Sequence, residues 1–292
     1  MERRKWEELN RDCLVNILGR LGIEELVFDI PFVCKSWYKT SLDPECWKSL
    51  NFYEVSFIDN FSFLGKSFKK KYIDHYKVGN FMVDRFVEFV VNRSRGSATS
   101  VALPEYSTTN KTLEYIVDGC PKLRMLNVPM SLNDLGSKLV EWKHLECLTI
   151  VGYGISQTEV IKQISLNCKN LKALFIGTQI NKEDALALGT MPKLNYLGLR
   201  GCLIYHEDLL LVLKGCVKLE FLDLGNCTSI GSPRLWGDIT TDLANDSEVL
   251  NLVSSIKSVV FKGRGVEEAL KQYCIDGTSY LMGYLPLRIA LN

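Results

Sequence analysis

Five copies of one short pattern limit what this chain can fold into. Leu123-x-x-Leu126-x-Val128, Leu145-x-x-Leu148-x-Ile150, Leu171-x-x-Leu174-x-Ile176, Leu194-x-x-Leu197-x-Leu199 and Leu219-x-x-Leu222-x-Leu224 set apolar residues at identical offsets, with first leucines 22, 26, 23 and 25 residues apart. Within each copy the last two apolar residues alternate on a short strand, and the first turns inward as the chain approaches it. Such a period holds one strand and one return segment, so successive strands lie parallel and stack in file. Segments 112–118, 157–165, 182–188 and 206–213 carry helix-like apolar spacing and supply the returns. A weaker copy, Ala98-x-x-Val101-x-Leu103, precedes the five, and Ile256-x-x-Val259-x-Phe261 is a degenerate late one.

The first fifty residues are organised differently. Leu14, Ile17, Leu18 and Leu21 recur at intervals of three and four, which predicts one apolar stripe on a helix of about three turns. Asn10 is the expected N-cap, Asp12 lies in the first turn where a carboxylate favours the helix dipole, and Gly22 is the expected stop. A second short helix is predicted over 24–28, Pro31 punctuates the start of segment 32–39, and a last turn contains Asp43 to Trp47. Helices this short do not hold alone, so they pack on one another and on a partner, or else form a cap that seals the repeats. Further along, 81–92 is apolar enough for a packed helix with its exit at 93–96.

Leu9-Asn10-Arg11-Asp12-Cys13-Leu14, then Ile17-Leu18-Gly19-Arg20-Leu21, Val33-Cys34-Lys35-Ser36-Trp37 and Pro44-Glu45-Cys46-Trp47 together resemble an F-box. The repeats place Cys120, Cys168 and Cys216 just before strands, and Cys202 and Cys227 just after them. This resembles the cysteine-containing leucine-rich repeats joined to F-boxes in plants, and the likeness covers most of Leu9 to Cys227. The sequence departs from the family at Asn10, where Pro is usual: Asn caps a helix but lacks the rigid apolar contact that Pro offers a partner. The resemblance implies a three-helix box that docks a Skp-family linker and, through it, cullin and RING subunits of a ubiquitin ligase, while the repeats capture a protein substrate. It assigns docking to Leu9, Asn10, Leu14, Ile17, Leu18, Val33, Cys34 and Trp37. Trp37 and Trp47 are large enough to serve either the core of the box or a partner.

The chemistry of an enzyme is not visible in the sequence. His75, His144 and His206 lie in separate segments and match no metal or triad spacing, Cys13, Cys34 and Cys46 lack a paired-ligand pattern, and no glycine loop cradles a phosphate. No catalytic residue, metal or cofactor is expected. With 35 Lys and Arg against 34 Asp and Glu, the net charge of +1 gives no broad field for nucleic acid or a membrane surface. The basic run Lys66, Lys69, Lys70 and Lys71 reads as a solvated face. The ten cysteines sit mostly among apolar residues as small buried wedges. Neither a signal-peptide core nor a membrane-length apolar stretch is found, so a reducing cytoplasm or nucleus is the expected setting.

The expected fold is therefore α/β, an N-terminal three-helix F-box followed by a short leucine-rich-repeat solenoid with parallel strands on the concave face and helices on the convex face. The expected divisions are 1–50 for the box, 51–96 for a linking helical region or first degenerate repeat, 97–227 for the repeats, and 228–292 for a degenerate repeat and C-terminal cap, with a final helix at 267–273. Residues flanking the inward leucines are the candidates for target binding: Arg124 and Asn127, Glu146 and Thr149, Lys172 and Phe175, Asn195 and Gly198, Glu220 and Asp223. The expected function is substrate recognition within a Skp-cullin-F-box ubiquitin ligase. The alternative is a repeat scaffold outside any ligase, with the helical region as a cap.

Overall fold

The computed structural model describes residues 9–55, 68–103, 108–129, 132, 134–154, 158–230 and 240–261. The chain divides into two compact units, one ending at Arg124 and the other beginning at Met125.

In the first unit the box is built from α1 (Arg11–Leu18), α2 (Ile23–Phe28), a 3-10 turn (Ile30–Phe32), α3 (Lys35–Ser41) and a second 3-10 turn (Pro44–Trp47). Asn10 caps α1 as expected, its side-chain oxygen accepting from the Asp12 N–H at 2.8 Å. The helix ends earlier than its leucine spacing suggests. Gly19 closes it by donating to the Val15 carbonyl at 2.8 Å, and Gly22 is instead the N-cap of α2. The reason is close approach: a Cβ on Gly19 would stand 3.2 Å from the Val15 oxygen and 3.4 Å from the Glu45 oxygen, so the returning chain lies against this backbone. The early stop also splits the stripe. Leu14 and Leu18 are buried, whereas Ile17 is exposed.

Trp47 anchors the end of the box, buried and donating its Nε1–H to the Ser41 carbonyl at 2.7 Å. Beyond it, β1 (Ser49–Asn51) runs parallel to β2 (Ser100–Ala102), pairing Leu50 with Val101. Between these strands come α4 (Phe68–Tyr76) and α5 (Val83–Ser94), and α6 (Asn110–Gly119) follows β2. The helix predicted at 81–92 is α5, which ends on Arg95 in the left-handed region at φ 46°. A cluster of rings joins α4 and α5 to α2: Phe28, Phe68, Tyr72, Phe81 and Phe86 meet largely edge to face, with Phe68 and Phe86 centroids 4.9 Å apart. Tyr76 donates its hydroxyl to the Val27 carbonyl at 2.9 Å, and Lys71 pairs with Glu24 at 2.6 Å. That pair occupies part of the predicted basic run; Lys66 lies outside the described residues.

The second unit holds the repeats. β3 (Met125–Pro129), β4 (Cys147–Gly154), β5 (Ala173–Ile180), β6 (Tyr196–Gly198), β8 (Phe221–Asp223) and β11 (Ser258–Val260) form a parallel sheet in the order β3-β4-β5-β6-β8-β11. Each strand is placed by one copy of the sequence pattern. A second ribbon forms from β7 (Leu203–Tyr205), parallel to the end of β5 and to β9 (Thr228–Ile230), with β10 (Thr240–Thr241) antiparallel to β9. The returns are α7 (Leu135–Lys138) with a following 3-10 turn, α8 (Thr158–Asn167), α9 (Lys182–Gly189), α10 (His206–Gly215) and α11 (Ser247–Val253). No spacing in the sequence marked α7, which is only four residues long.

A repeated hydrogen-bond unit explains the cysteines before the strands. Cys168 donates its backbone N–H to Ile164 at the end of α8, and Leu171 donates back to the Cys168 carbonyl; Cys216 and Leu219 repeat this after α10. In the first unit Cys120 and Leu123 do the same after α6. All three thiols are buried among packed helices, where only a small apolar side chain fits. Cys202 and Cys227 close the other end of their repeats: their thiols donate to the carbonyls of Ile176 at 3.3 Å and Leu199 at 2.6 Å, one repeat back. Gly189 and Gly215 end neighbouring helices in backbone contact, and a Cβ on Gly215 would stand 2.6 Å from the Gly189 Cα. The final helix expected at 267–273 lies outside the described residues.

Candidate docking and recognition surfaces

Within the box the core is closed by Leu14, Leu18, Ile23, Leu26, Val27 and Ile30, all buried. Against that background four large apolar side chains stay in solvent: Ile17 is 43% exposed, Phe32 59%, Val33 57% and Tyr38 48%. They stand on α1, on the 3-10 turn and the residue after it, and on α3, elements that pack on one another. Leaving so much apolar area in water forgoes roughly 25 cal/mol for each Å², a deficit that a partner surface would recover.

The docking candidates divide by position. Ile17 and Val33 are exposed, Asn10 is exposed as a cap, and Leu9, Cys34 and Trp37 are half-buried. Leu14 and Leu18 belong to the core. Trp37 carries a further mark, because its Nε1–H is buried without an acceptor. Phe32 and Tyr38 were not singled out from the sequence, although Phe32 adjoins Pro31. Its ring meets His75 of α4 edge-on at 4.3 Å, a contact with a residue far along the chain that local spacing does not announce.

In the repeat unit, period-2 alternation sends Leu126 and Val128, with their equivalents, to one side of the sheet and two other rows to the opposite side. Register defines those rows. One is Met125, Cys147, Ala173, Tyr196 and Phe221; the other is Asn127, Thr149, Phe175, Gly198, Asp223 and Val260. Asn127, Thr149, Phe175 and Asp223 thus share the side opposite the leucines, and all four are buried, so their side chains do not meet solvent directly.

Glu146, Lys172, Asn195 and Glu220 sit just before their strands and are half-buried in a file of their own. Lys172 pairs with Glu146 at 2.9 Å, Asn195 donates to Glu220 at 3.3 Å, and Glu220 also pairs with Lys257 at 2.6 Å. The Lys257 ammonium holds the Glu220 carboxyl below its ordinary range. In the first unit Arg124 is exposed, its backbone N–H donating to Thr99 at 2.9 Å.

Beyond the strands, Arg200 reaches Asp223 at 2.8 Å, the carboxylate wholly buried and the guanidinium nearly so. Burial pushes the Asp223 carboxyl up, while the Gly225 N–H and Arg200 draw it back. Among the described residues no cluster of His, Cys, Asp and Glu is placed to hold a metal ion, and no helix is long and apolar enough to cross a membrane.

Comparison with known proteins fits this division. The F-box domain family matches residues 6–49. Relatives in Arabidopsis thaliana span most of the chain: F-box protein SKIP19 is 27% identical over 82% of this chain and 74% of its own. F-box/LRR-repeat protein At3g48880 is 27% identical over 76% and 72%, and F-box protein SKIP1 27% over 82% and 83%. The chain is thus similar to F-box domains at its N-terminus and, over most of its length, to F-box and F-box/LRR-repeat proteins of Arabidopsis thaliana.

Proposed function

We propose that the chain is a substrate-recognition subunit of a Skp-cullin-F-box ubiquitin ligase. The box docks a Skp-family linker, which carries the cullin and RING subunits, and the repeat unit binds a protein target. One observation carries the reading: Ile17, Phe32, Val33 and Tyr38 stand exposed on a helical unit whose own core is already closed. In this arrangement Ile17, Val33 and the newly found Phe32 and Tyr38 meet the linker, half-buried Trp37 backs them, and Leu14 and Leu18 hold the box that presents them. The chain itself performs no catalysis. It holds the target near a ubiquitin-loaded partner, and its setting is the nucleus or cytoplasm.

The test is reconstitution. Purified chain mixed with a Skp-family linker and cullin is expected to elute as one complex, and Ile17→Asp/Val33→Asp is expected to abolish that complex while keeping the melting temperature of the parent. An intact fold that never captures the linker would refute the ligase reading and leave the repeat scaffold outside any ligase.

A further inference from the structure

Between the end of α3 and the last turns of α5 the first unit holds an open cavity of about 310 Å³, lined by Leu42, Phe89, Asn92, Arg93 and Arg95. Phe89, Asn92 and Arg93 are spaced by three and four residues, so one face of α5 supplies them. Arg95 follows in the left-handed residue that ends the helix. Half-buried Leu42 and Phe89 form the apolar wall, and the Phe89 ring also packs on Tyr72, Tyr76 and Phe86. The Arg93 guanidinium is held over that ring, its central carbon 4.9 Å from the centroid.

Neither guanidinium is engaged by an acid. Among the described residues Arg93 and Arg95 form no ion pair, and the carboxylates of α5 and of the second 3-10 turn are committed elsewhere. Glu88 pairs with Arg85 at 2.8 Å and Glu45 with Lys48 at 2.5 Å, while Asp43 holds Arg11 at 2.7 Å and Asp84 accepts from Thr109 at 2.9 Å. Nor do the guanidiniums cap the helix. The Val91, Asn92 and Ser94 carbonyls at its end already accept from the Ser94 hydroxyl, the Arg95 backbone N–H and the Ser97 backbone N–H. A guanidinium lying over a ring keeps its N–H edges free for an oxyanion. The cavity therefore combines an apolar wall with two uncommitted positive charges.

We propose that this cavity binds an acidic peptide segment of a partner protein. An Asp or Glu carboxylate of the segment meets Arg93 and Arg95, and an apolar neighbour packs on Phe89 and Leu42. Charge selects the anion, and size selects more than a bare ion. The cavity has room for about ten waters at ~30 Å³ each, so a carboxylate alone would leave most of the apolar wall wet. A nucleic-acid strand calls for cations along a track and exposed rings for its bases, whereas here two cations flank one half-buried ring. The site lies beyond the box and before the repeats, in the stretch whose sequence reads only as a link. It stands whether or not the box docks a linker, and it gives the first unit a recognition point of its own.

The test uses the full chain and a fluorescein-labelled peptide, Ser-Leu-Glu-Phe-Asp-Ser, with binding read by fluorescence anisotropy. The chain is expected to bind it at least tenfold more tightly than the same peptide with Gln and Asn in place of its acids, and more tightly than one with Ser in place of Leu and Phe. Arg93→Gln/Arg95→Gln is expected to erase the preference for acid over amide, and Arg93→Lys/Arg95→Lys to keep part of it. Lys111→Gln/Lys122→Gln, which removes the same charge on α6 and just beyond it, is expected to keep all of it. Melting temperatures establish that each variant is folded. Equal binding of the acidic and amide peptides, a preference that survives Arg93→Gln/Arg95→Gln, or an equal loss in the lysine variant would overturn the proposal. A short oligothymidine that binds as tightly as the acidic peptide would overturn it in favour of a nucleic acid.

Discussion

The ring of Phe175 lies over Gly198, so close that a Cβ on the glycine would stand 2.3 Å from its Cδ1. The two residues face each other across paired strands β5 and β6, and the absent side chain on one makes room for the large one on the other.

This pairing predicts a directional coupling. Gly198→Ala forces the ring aside in a packed cluster and is expected to lower unfolding free energy by about 1–3 kcal/mol, the range for overpacking. Gly198→Ala with Phe175→Leu is expected to recover part of that loss, because the smaller side chain vacates the contested space. Urea unfolding of the four combinations measures the coupling, and strict additivity would show that the ring does not depend on the glycine.

The Arg200–Asp223 pair predicts a pH signature. Burial raises the Asp223 carboxyl above its ordinary 3.8, so the fold favours the protonated acid. The contribution to stability is full below 3.8 and is lost as pH rises through the raised folded value. Relative to Asp223→Asn, the parent is therefore expected to lose stability across that window. Arg200→Met strips the buried carboxylate of its cation and is expected to cost about 3–5 kcal/mol at neutral pH, and less in acid, where the group is uncharged. Denaturation midpoints on a pH series bracketing 3.8 check both signs.

Thiol chemistry offers a third check. Burial pushes the thiols of Cys120, Cys168 and Cys216 up to about 12, and Cys46 up to about 11, with Asp43 and Glu45 adding to the latter. In the folded chain these four are expected to resist iodoacetamide at mildly alkaline pH, while exposed Cys13 reacts first. Peptide mapping should show the protection vanish in denaturant. Protection that persisted there would mean that something other than folding blocks the thiols.

Asn10 supplies the last prediction. Its φ of −54° and ψ of 138° already suit proline. Asn10→Pro removes the cap on Asp12, at about 1 kcal/mol of box stability, and restores the apolar group usual in the family. If the box docks a linker, affinity is expected to rise roughly fourfold for each methylene newly buried, at ~0.8 kcal/mol apiece. Titration calorimetry with the linker reads the change; unchanged affinity would place position 10 outside the interface, and weaker binding would show that the proline adds no favourable contact there.

How much of this was legible beforehand depended on whether the signal was local. The Leu-x-x-Leu-x-Leu copies located the strands because alternation and repeat length are written along the chain, and Asn10 declared its cap through a residue two positions on. The end of α1 was misplaced because Gly19 stops the helix against Glu45, a neighbour the spacing does not show. Phe32 was missed for the same reason, its ring contact being with His75. Phe175 and Asp223 were placed on the side away from the leucines by alternation, which fixes direction but says nothing about what covers that side. α7 escaped because a single helical turn has no period.

The backbone contact of Gly189 and Gly215 carries an implication for how such arrays diversify. Two repeats that meet through side chains can each be exchanged for a consensus unit, since a neighbour repacks around the newcomer. Where α9 and α10 end, the interface has no side chains to repack. A unit exchanged at either position therefore has to bring glycine to this point, because a Cβ there meets the neighbour's backbone.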